Sequence, residues 1–415
     1  MSARLAAHIT LESRSDGGLL ASVYGHSIDL GKFSPGAADR AQKLSTGLPL
    51  SAFSSGRKVD KDIQLLVQRL AKRGLLEFCL RRSPGGDDLA VIEPQTPDYW
   101  PQMPPLVNAD TLALSRFAYM RRRGSDIVLE SPRARALFRI CDPKIAAALA
   151  MLSRPQQIKQ LRRHDSFPGT EFLALLVDCQ ILFRTETADD GGLRSTEGDD
   201  NLVLWDFHDL LFHARSTEGR HANPLGGLYP YAGLISPMPA IRPPWPGKKI
   251  DLSTSSTTQT PALSPIATQL RRRHSTRSFD DQRPITLAEL AGFLDATARV
   301  QSEMETRLDF GDEGPLVTYA VRPYPSAGAA YELELYLAVG KCEGLARGFY
   351  HYDASGHALV AIKVHRNELE TLLLRAAHAM GVQAAPQVLI TVAARFGRTS
   401  WKYSSIAYSL ILKDV

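Results

Sequence analysis

The chain has 415 residues, of which 44% are hydrophobic, so it is long enough for two or three domains with apolar cores. Its 49 basic and 44 acidic residues are interspersed, and the resulting net charge of +5 does not indicate a nucleic-acid-binding protein. The four cysteines lie far apart without CxxC spacing, which argues against a disulfide framework or a metal site. Because no apolar run has membrane-spanning length and no signal-peptide core is evident, we expect a cytoplasmic protein that does not act at a membrane.

Residues 1–93 predict a first winged-helix-like module. Short strands are indicated before a helix that follows Pro35. A second helix places Ile63, Leu66 and Leu70 on one face and ends near Gly74, ahead of another strand. Helix, turn and strand therefore follow one another as in a winged helix.

Residues 106–185 repeat this order after the proline-rich linker 94–105. The pattern predicts a second winged-helix-like module produced by a weak internal duplication. The basic runs 121–123 and 162–164 would suit DNA. We do not expect DNA binding, however, because acidic residues balance them and no polar recognition helix is evident.

Residues 200–262 predict a connecting helix and a wrapping arm, after a polar boundary segment that begins at Thr185. The helix is expected over 202–215, with Trp205, Leu211 and Phe212 on its apolar side. His208 and His213 do not have the i, i+4 spacing of a metal-binding helix and are interpreted as packing or capping residues. A proline-rich arm (224–246) and a polar tether (253–260) follow.

Residues 271–279 read Arg-Arg-Arg-His-Ser-Thr-Arg-Ser-Phe and precede a helix predicted after Pro284. Guanidinium groups offer two parallel hydrogen bonds to phosphate oxygens, and Ser275 adds a neutral donor. The cluster could bind a phosphate, but in isolation a solvated basic run beside a linker is the favoured interpretation.

Residues 322–336 read Arg-Pro-Tyr-Pro-Ser-Ala-Gly-Ala-Ala-Tyr-Glu-Leu-Glu-Leu-Tyr. Small side chains from Ser326 to Ala330 would let the backbone approach a planar ligand. Apolar residues then alternate through Leu333, Leu335, Leu337 and Val339, opposite Glu332, Glu334 and Tyr336, which predicts a half-buried strand.

These two stretches together resemble the flavin-binding core of the nitroreductase superfamily, and more narrowly the SagB-type or McbC-like azoline dehydrogenases, which are related to the cyanobactin oxidases. Residues 205–216 and 237–245 also resemble the SagB-type pattern. The resemblance implies an α+β, nitroreductase-like FMN-binding domain over 263–415. It implies an FMN enzyme that oxidises thiazolines and oxazolines in ribosomal peptides to thiazoles and oxazoles.

The resemblance also assigns the site residues. The FMN phosphate would be held by Arg273, Ser275 and Arg277. The isoalloxazine ring would lie against Pro325, Ser326, Ala327 and Gly328. Lys402 and Tyr403 match the Lys-Tyr pair of the family and are the catalytic candidates. The alternative is that both belong to an amphipathic final helix on which Trp401, Tyr408 and Leu412 pack. Ser409 stands where the family usually has arginine.

The implied partners are a heterocyclised precursor peptide, cyclodehydratase subunits and a second copy of the chain in a homodimer. Winged-helix-like modules of related enzymes clamp a leader peptide, so module 106–185 is a candidate clamp, although a purely structural role is an alternative. The sequence stops within the predicted last helix, so we expect a C-terminally incomplete domain. Two other functions stay open: a nitroreductase-like flavoenzyme for a small molecule, and a non-catalytic scaffold.

Overall fold

Two folding units divide the chain in the computed structural model, Met1–Leu225 with Phe396–Leu410 and Gly226–Arg395 with Ile411–Val415. The structure describes residues 1–23, 26–53, 58–83, 86–96, 99–185, 197, 200–217, 233–241, 244, 246, 249–250, 264–307, 316–403 and 406–415. Most of the predicted arm and all of the predicted tether lie outside these residues. Each unit is described by itself.

The first unit combines strands and helices that alternate along the chain. In order, its elements are β1 (Ser2–Leu5), β2 (Ile9–Ser13), β3 (Gly18–Val23), β4 (His26–Lys32), α1 (Pro35–Gln42), β5 (Leu48–Pro49), α2 (Lys58–Lys72), β6 (Leu76–Arg81), β7 (Asp88–Pro94), β8 (Thr111–Leu114), β9 (Tyr119–Arg123), β10 (Asp126–Glu130), β11 (Ala136–Ile140), α3 (Lys144–Met151), β12 (Gln156–Gln157), α4 (Ile158–Leu161), α5 (Thr170–Asp178), β13 (Leu182–Thr185), α6 (Phe207–Thr217) and α10 (Phe396–Ser400).

Among the described residues, seven strands form the largest sheet, in the order β5-β1-β6-β7-β11-β10-β9. Two smaller sheets have the orders β2-β3-β4 and β12-β8-β13. Helix α2 packs into the core as predicted, because Ile63, Leu66 and Leu70 are all buried. It ends before Gly74, whose φ of +65° is readily adopted only without a Cβ.

Strands from both predicted winged-helix-like modules lie in the same large sheet. β7, from the first range, pairs antiparallel with β11, from the second, and Val91 stands opposite Arg139. One hydrophobic cluster also runs from Ala3 to Leu182. The division into two winged-helix-like modules stays a prediction, and the strand pairing joins the two ranges into one structure.

The helix predicted over 202–215 begins later than expected. A short 3₁₀ turn covers Asp200–Leu204, and α6 starts at Phe207, where Asp206 Oδ1 accepts a hydrogen bond from the His208 backbone N–H at 3.1 Å. Its buried apolar side chains are Leu210 and Ala214, whereas Phe212 is 51% exposed. The predicted apolar side was therefore wrong at Phe212.

The second unit is built around a four-stranded sheet. Its elements are α7 (Pro265–Arg272), α8 (Leu287–Ala298), β14 (Ser302–Arg307), β15 (Leu316–Val321), β16 (Leu333–Val339), β17 (Gly348–Asp353), β18 (Ala358–Ile362), α9 (Arg366–Met380) and β19 (Val388–Ala394). The last helix, α11 (Ala407–Asp414), has residues 407–410 in the first unit and residues 411–414 in the second. The sheet has the order β18-β17-β16-β19, so β16 is central.

The central strand forms as predicted, but its burial does not alternate, because residues 334–336 are all half-buried and residues 337–339 are all buried. Leu337 and Val339 are fully buried against Leu290 and Leu294 of α8, on one face of the sheet. Ala338, on the other face, packs with Leu373 of α9. Glu334 and Tyr336 are half-buried, as expected for the polar side of the strand.

The continuous final helix expected around Lys402 is wrong. The chain forms the short α10, leaves the helix after Ser400, and resumes as α11 at Ala407. The buried residues of α11 are Ala407 and Ile411, while Leu412 is 51% exposed and Trp401 is 55% exposed. None of the described helices has the length and apolar character needed to cross a membrane.

Candidate functional site

The turn between β15 and β16 has an unusual backbone. A single 3₁₀ turn covers Ala327–Ala329, and Gly328 has φ +59°. Ala329 and Tyr331 also have positive φ angles, +55° and +44°. Left-handed conformations are unfavourable for residues with a Cβ and concentrate at ligand-binding and functional sites. The small side chains predicted to face a planar ligand therefore lie in a turn whose shape is held against local preference.

Hydrogen bonds that involve side chains stabilise this turn. Asp414 Oδ2 accepts hydrogen bonds from Ser326 Oγ at 2.9 Å and from the Ala327 N–H at 3.0 Å. Ser326 Oγ also accepts from the Tyr331 N–H at 2.9 Å and lies 3.2 Å from Glu332 Oε2. Glu332 is fully buried, and burial, helped by Asp414, raises the pKa of its carboxyl.

The basic segment after α7 presents its donors to solvent. Arg273, Ser275 and Arg277 are exposed, on a stretch that has neither helix nor strand. In the part of the chain that the structure describes, their side chains make no hydrogen bond or ion pair, and none joins them to the turn at Ser326. These donors are consequently available to an external anion, and their proximity to the turn stays a prediction.

Lys402 and Tyr403 lie in the first unit, in the break after α10. Both backbone N–H groups donate to the Thr399 carbonyl, at 3.1 and 2.9 Å. Lys402 is exposed, and its Nζ lies 5.6 Å from the centroid of the Tyr403 ring. The aromatic neighbour expected for a base lysine is present, but the described residues do not provide the expected desolvation.

Aromatic rings anchor the segment that carries Lys402. Trp205 stacks on Phe396 with ring centroids 3.4 Å apart and an interplanar angle of 7°. His213 of α6 lies with Nδ1 3.2 Å from the Tyr408 hydroxyl, so the predicted packing role of His213 is confirmed. Asp209, which is 5% exposed, accepts from the Tyr408 N–H at 3.4 Å. Burial raises the pKa of Asp209.

A basic groove opens elsewhere on the first unit. It encloses about 550 Å³ beside β4, the edge strand of its sheet. The groove is lined by Asp29, Leu30, Gly31, Arg69, Lys72 and Arg73. Arg69 donates to the Leu30 carbonyl on that edge, while Lys72 and Arg73 are exposed at the end of α2.

The chemical groups of FMN match the residues of the basic segment and of the turn. A phosphate monoester matches two guanidinium groups and a hydroxyl that are free of partners among the described residues. A flat ring system matches a turn of small residues, whose Ala327 and Gly328 backbone carries no bulky side chain. FMN would therefore be held by Arg273, Ser275 and Arg277 at its phosphate and by the turn at its ring.

Several contributing residues were not predicted from the sequence. Glu332 was assigned to the polar side of a strand, but β16 begins at Leu333, so the alternation does not apply to it. The roles of Asp414 and Asp209 depend on contacts between residues far apart in sequence, for which no local pattern exists.

Comparisons with known proteins identify two regions. Residues 112–222 match the family model of the cyanobactin oxidase ThcOx, and residues 270–415 match that of the nitroreductase family. A curated protein of Methanocaldococcus jannaschii that carries the name nitroreductase is 31% identical over 146 residues, which are 35% of this chain and 65% of that protein. The chain thus spans 65% of the length of this relative.

A crystal structure described as a nitroreductase from Anabaena variabilis is 26% identical to this chain. It covers 30% of this chain and 24% of its own, with a TM-score of 0.25. The sequence resemblance is confirmed by the family matches: the chain is related to the cyanobactin oxidases through residues 112–222 and carries a nitroreductase-family region, of mixed helices and strands, over residues 270–415.

Proposed function

We propose that this chain is a flavin-dependent oxidoreductase, and specifically an FMN-dependent dehydrogenase that oxidises thiazoline or oxazoline rings of a ribosomal peptide to thiazoles or oxazoles. The observation that carries the proposal is the succession of the two family regions in one chain. A nitroreductase-family region alone supports oxidoreductase chemistry, and the preceding cyanobactin-oxidase-like region favours a peptide as substrate.

When bound, FMN supplies an acceptor for a hydride. The chain's own residues would anchor it at both ends. Arg273, Ser275 and Arg277 would bind the phosphate, and the turn at Pro325–Gly328 would support the ring. Because the turn is already shaped in the free chain, little ordering would be required on binding.

Aromatising an azoline removes a hydride from one ring carbon and a proton from its neighbour. Lys402 is proposed to take that proton on Nζ, with Tyr403 orienting the amine through its ring and hydroxyl. A bound peptide would exclude water from the exposed Lys402. Thr399, which accepts from both backbone N–H groups, holds the pair in place.

Lys402→Ala should abolish azole formation while FMN stays bound, and Tyr403→Phe should reduce it. Lys363→Ala, which removes an exposed lysine from a different segment, is the matched control. Mass spectrometry of a thiazoline-containing peptide would detect the loss of two hydrogens per ring. Unchanged turnover in Lys402→Ala would show that another group is the base.

We further propose that the precursor peptide binds in the basic groove beside β4, which lies in residues 1–93 and not in the candidate clamp of residues 106–185. An extended peptide can add to a sheet edge, and Lys72 and Arg73 would attract acidic side chains. The Lys72→Ala/Arg73→Ala variant should weaken binding of a labelled acidic peptide by about threefold or more, since exposed ion pairs contribute ~0.2–1 kcal/mol each. Lys43→Ala, on an exposed position outside the groove, should not change it.

A cytoplasmic location, a homodimer and cyclodehydratase partners belong to the same proposal. Co-purification of the chain with a cyclodehydratase, and its mass in solution, would test the last two. Reduction of a small nitroaromatic without any effect on azoline peptides would favour a small-molecule flavoenzyme. Absence of flavin binding by the folded chain would favour the scaffold alternative.

A further inference from the structure

The turn over residues 325–331 is held in a conformation that its own sequence disfavours. Gly328, Ala329 and Tyr331 all have positive φ angles, and two of them carry a Cβ. Such a backbone persists where contacts from other parts of the structure hold it. Beyond the short internal hydrogen bonds of the 3₁₀ turn, one side chain accepts two hydrogen bonds from the start of the turn.

That side chain is Asp414 of α11. Its Oδ2 receives both the Ser326 hydroxyl and the Ala327 N–H, at 2.9 and 3.0 Å. Hydrogen bonds to a carboxylate are stronger than those between neutral groups. Asp414 is half-buried, which limits competition from water. One carboxylate therefore fixes both the side chain and the backbone at the start of the turn.

The hydrogen bonds of Ser326 favour a proton on Glu332. Ser326 Oγ accepts the Tyr331 N–H and is positioned to donate both to Asp414 Oδ2, at 2.9 Å, and to Glu332 Oε2, at 3.2 Å, but it has only one hydrogen for the two carboxyl oxygens. A protonated Glu332 would supply the second hydrogen and remove this competition. The same side chain is fully buried, and its Oε1 has no hydrogen-bond partner among the described residues, which suits an uncharged carboxylic acid.

The charged surroundings agree with a neutral Glu332. The pKa of Glu332 is raised by burial first and by the adjacent Asp414. Tyr324 lies near Glu332 on the preceding loop, and the pKa of Tyr324 is raised mainly by its own burial. Arg322 interacts with Tyr324 and donates to the Leu333 carbonyl at 3.0 Å. The Arg395 backbone N–H donates to the Glu332 carbonyl at 2.9 Å, while its guanidinium lies 3.8 Å from Glu334.

We infer that Asp414 and protonated Glu332 form a latch that positions the 325–331 turn and keeps its ligand-facing surface preformed. That the turn faces a ligand, and that this ligand is a flavin ring, rests on the proposed function. Asp414 and Glu332 are positioning residues that act through Ser326 and the backbone. Asp414→Ala removes the acceptor for both hydrogen bonds, whereas Asp414→Asn keeps an oxygen in place.

Amide hydrogen exchange of the flavin-free chain tests the latch. Asp414→Ala should speed exchange at Ala327 and Tyr331 by at least about tenfold, because their hydrogen bonds then open locally. Asp414→Asn should have a smaller effect, and Lys413→Ala, its exposed neighbour, should have none. Amides of β16 serve as the internal control that the sheet stays folded. Unchanged exchange in Asp414→Ala overturns the inference.

The proton on Glu332 has its own test. Because the pKa of Glu332 is raised in the folded chain, its contribution is present at low pH and is lost as the pH rises through that raised value. Protection of the turn, corrected for intrinsic exchange, should fall with rising pH in the wild type. Glu332→Gln, whose amide can still donate to Ser326, should remove this dependence. A dependence that persists in Glu332→Gln overturns the assignment of the proton.

FMN binding separates the latch from the proposed function. Asp414→Ala should bind FMN at least about tenfold more weakly than Lys413→Ala, because a loosened turn must be ordered on binding. Equal affinities would refute the positioning role. A wild-type chain that takes up no FMN would refute the proposed function, and the exchange comparison would still decide the latch.

Discussion

Replacing Arg273 and Arg277 with alanine tests whether the basic segment after α7 anchors a phosphate. Both side chains are exposed and make no hydrogen bond or ion pair among the described residues, so their removal breaks no internal contact. The double variant should therefore fold normally and differ from the wild type only in its interaction with an external anion.

The size of the effect follows from this exposure. Hydrogen bonds that involve a charged group contribute roughly 1.5–3 kcal/mol, and solvent exposure favours the lower value. Since 1.4 kcal/mol corresponds to about tenfold in affinity, each variant should weaken FMN binding by about tenfold and the double variant by up to about a hundredfold. Ser275→Ala removes a neutral donor and should cost less, about threefold, since such bonds contribute ~1 kcal/mol.

Quenching of flavin fluorescence measures the affinity directly. Arg366→Ala is the matched control, because this exposed arginine of α9 carries the same charge and pairs with Glu370 at 2.9 Å. Binding by the wild type should weaken with added salt, and the double variant should show a shallower salt dependence. If the double variant binds FMN as tightly as Arg366→Ala, the phosphate assignment is wrong.

Three further predictions concern stability. Leu337→Ala, in the middle of the central strand and fully buried, should lower the free energy of unfolding by about 2–5 kcal/mol in chemical denaturation, and an effect below that of a surface substitution would contradict the packing. Trp205→Ala removes the stack on Phe396 and should cost at least about 1 kcal/mol, whereas Trp205→Phe should recover part of the loss in thermal unfolding. Burial raises the pKa of Asp209, so its contribution to stability is lost as the pH rises through that value. Asp209→Asn should flatten this part of the stability profile, and an unchanged profile would show that Asp209 is not its source.

Local patterns predicted the elements that bury a regular apolar face. The alternation from Leu333 to Val339 placed β16, and the helical spacing of Ile63, Leu66 and Leu70 placed α2. Strand β14 was not predicted, because its residues Ser-Glu-Met-Glu-Thr-Arg are all exposed. Among the described strands it pairs with β15 alone. Periodicity identifies strands and helices through their buried residues, so an exposed hairpin leaves no such signal.

The prediction of a continuous last helix failed for a different reason. Trp401, Tyr408 and Leu412 fit a single helical spacing, but the chain breaks after α10, and the buried positions of α11 are Ala407 and Ile411. A spacing rule assumes that the helix is continuous and cannot detect the break.

In the candidate site, the sequence predicted only those residues that the family resemblance assigned. The small residues of the turn and the arginines could be read from the sequence, and the structure shows a strained turn and arginines that have no partner among the described residues. The hydrogen bond between Ser326 and Asp414, which is part of the proposed latch, joins residues 88 positions apart. No local sequence pattern could therefore predict it.

Reconstitution of the purified chain with FMN, followed by mass spectrometry of a thiazoline-containing peptide, tests the central claim most directly. We predict that the chain retains FMN and that each thiazoline ring loses two hydrogens, with no reaction in Lys402→Ala. A chain that binds FMN but leaves the thiazoline unchanged, while reducing a small nitroaromatic, would contradict the proposed peptide dehydrogenase.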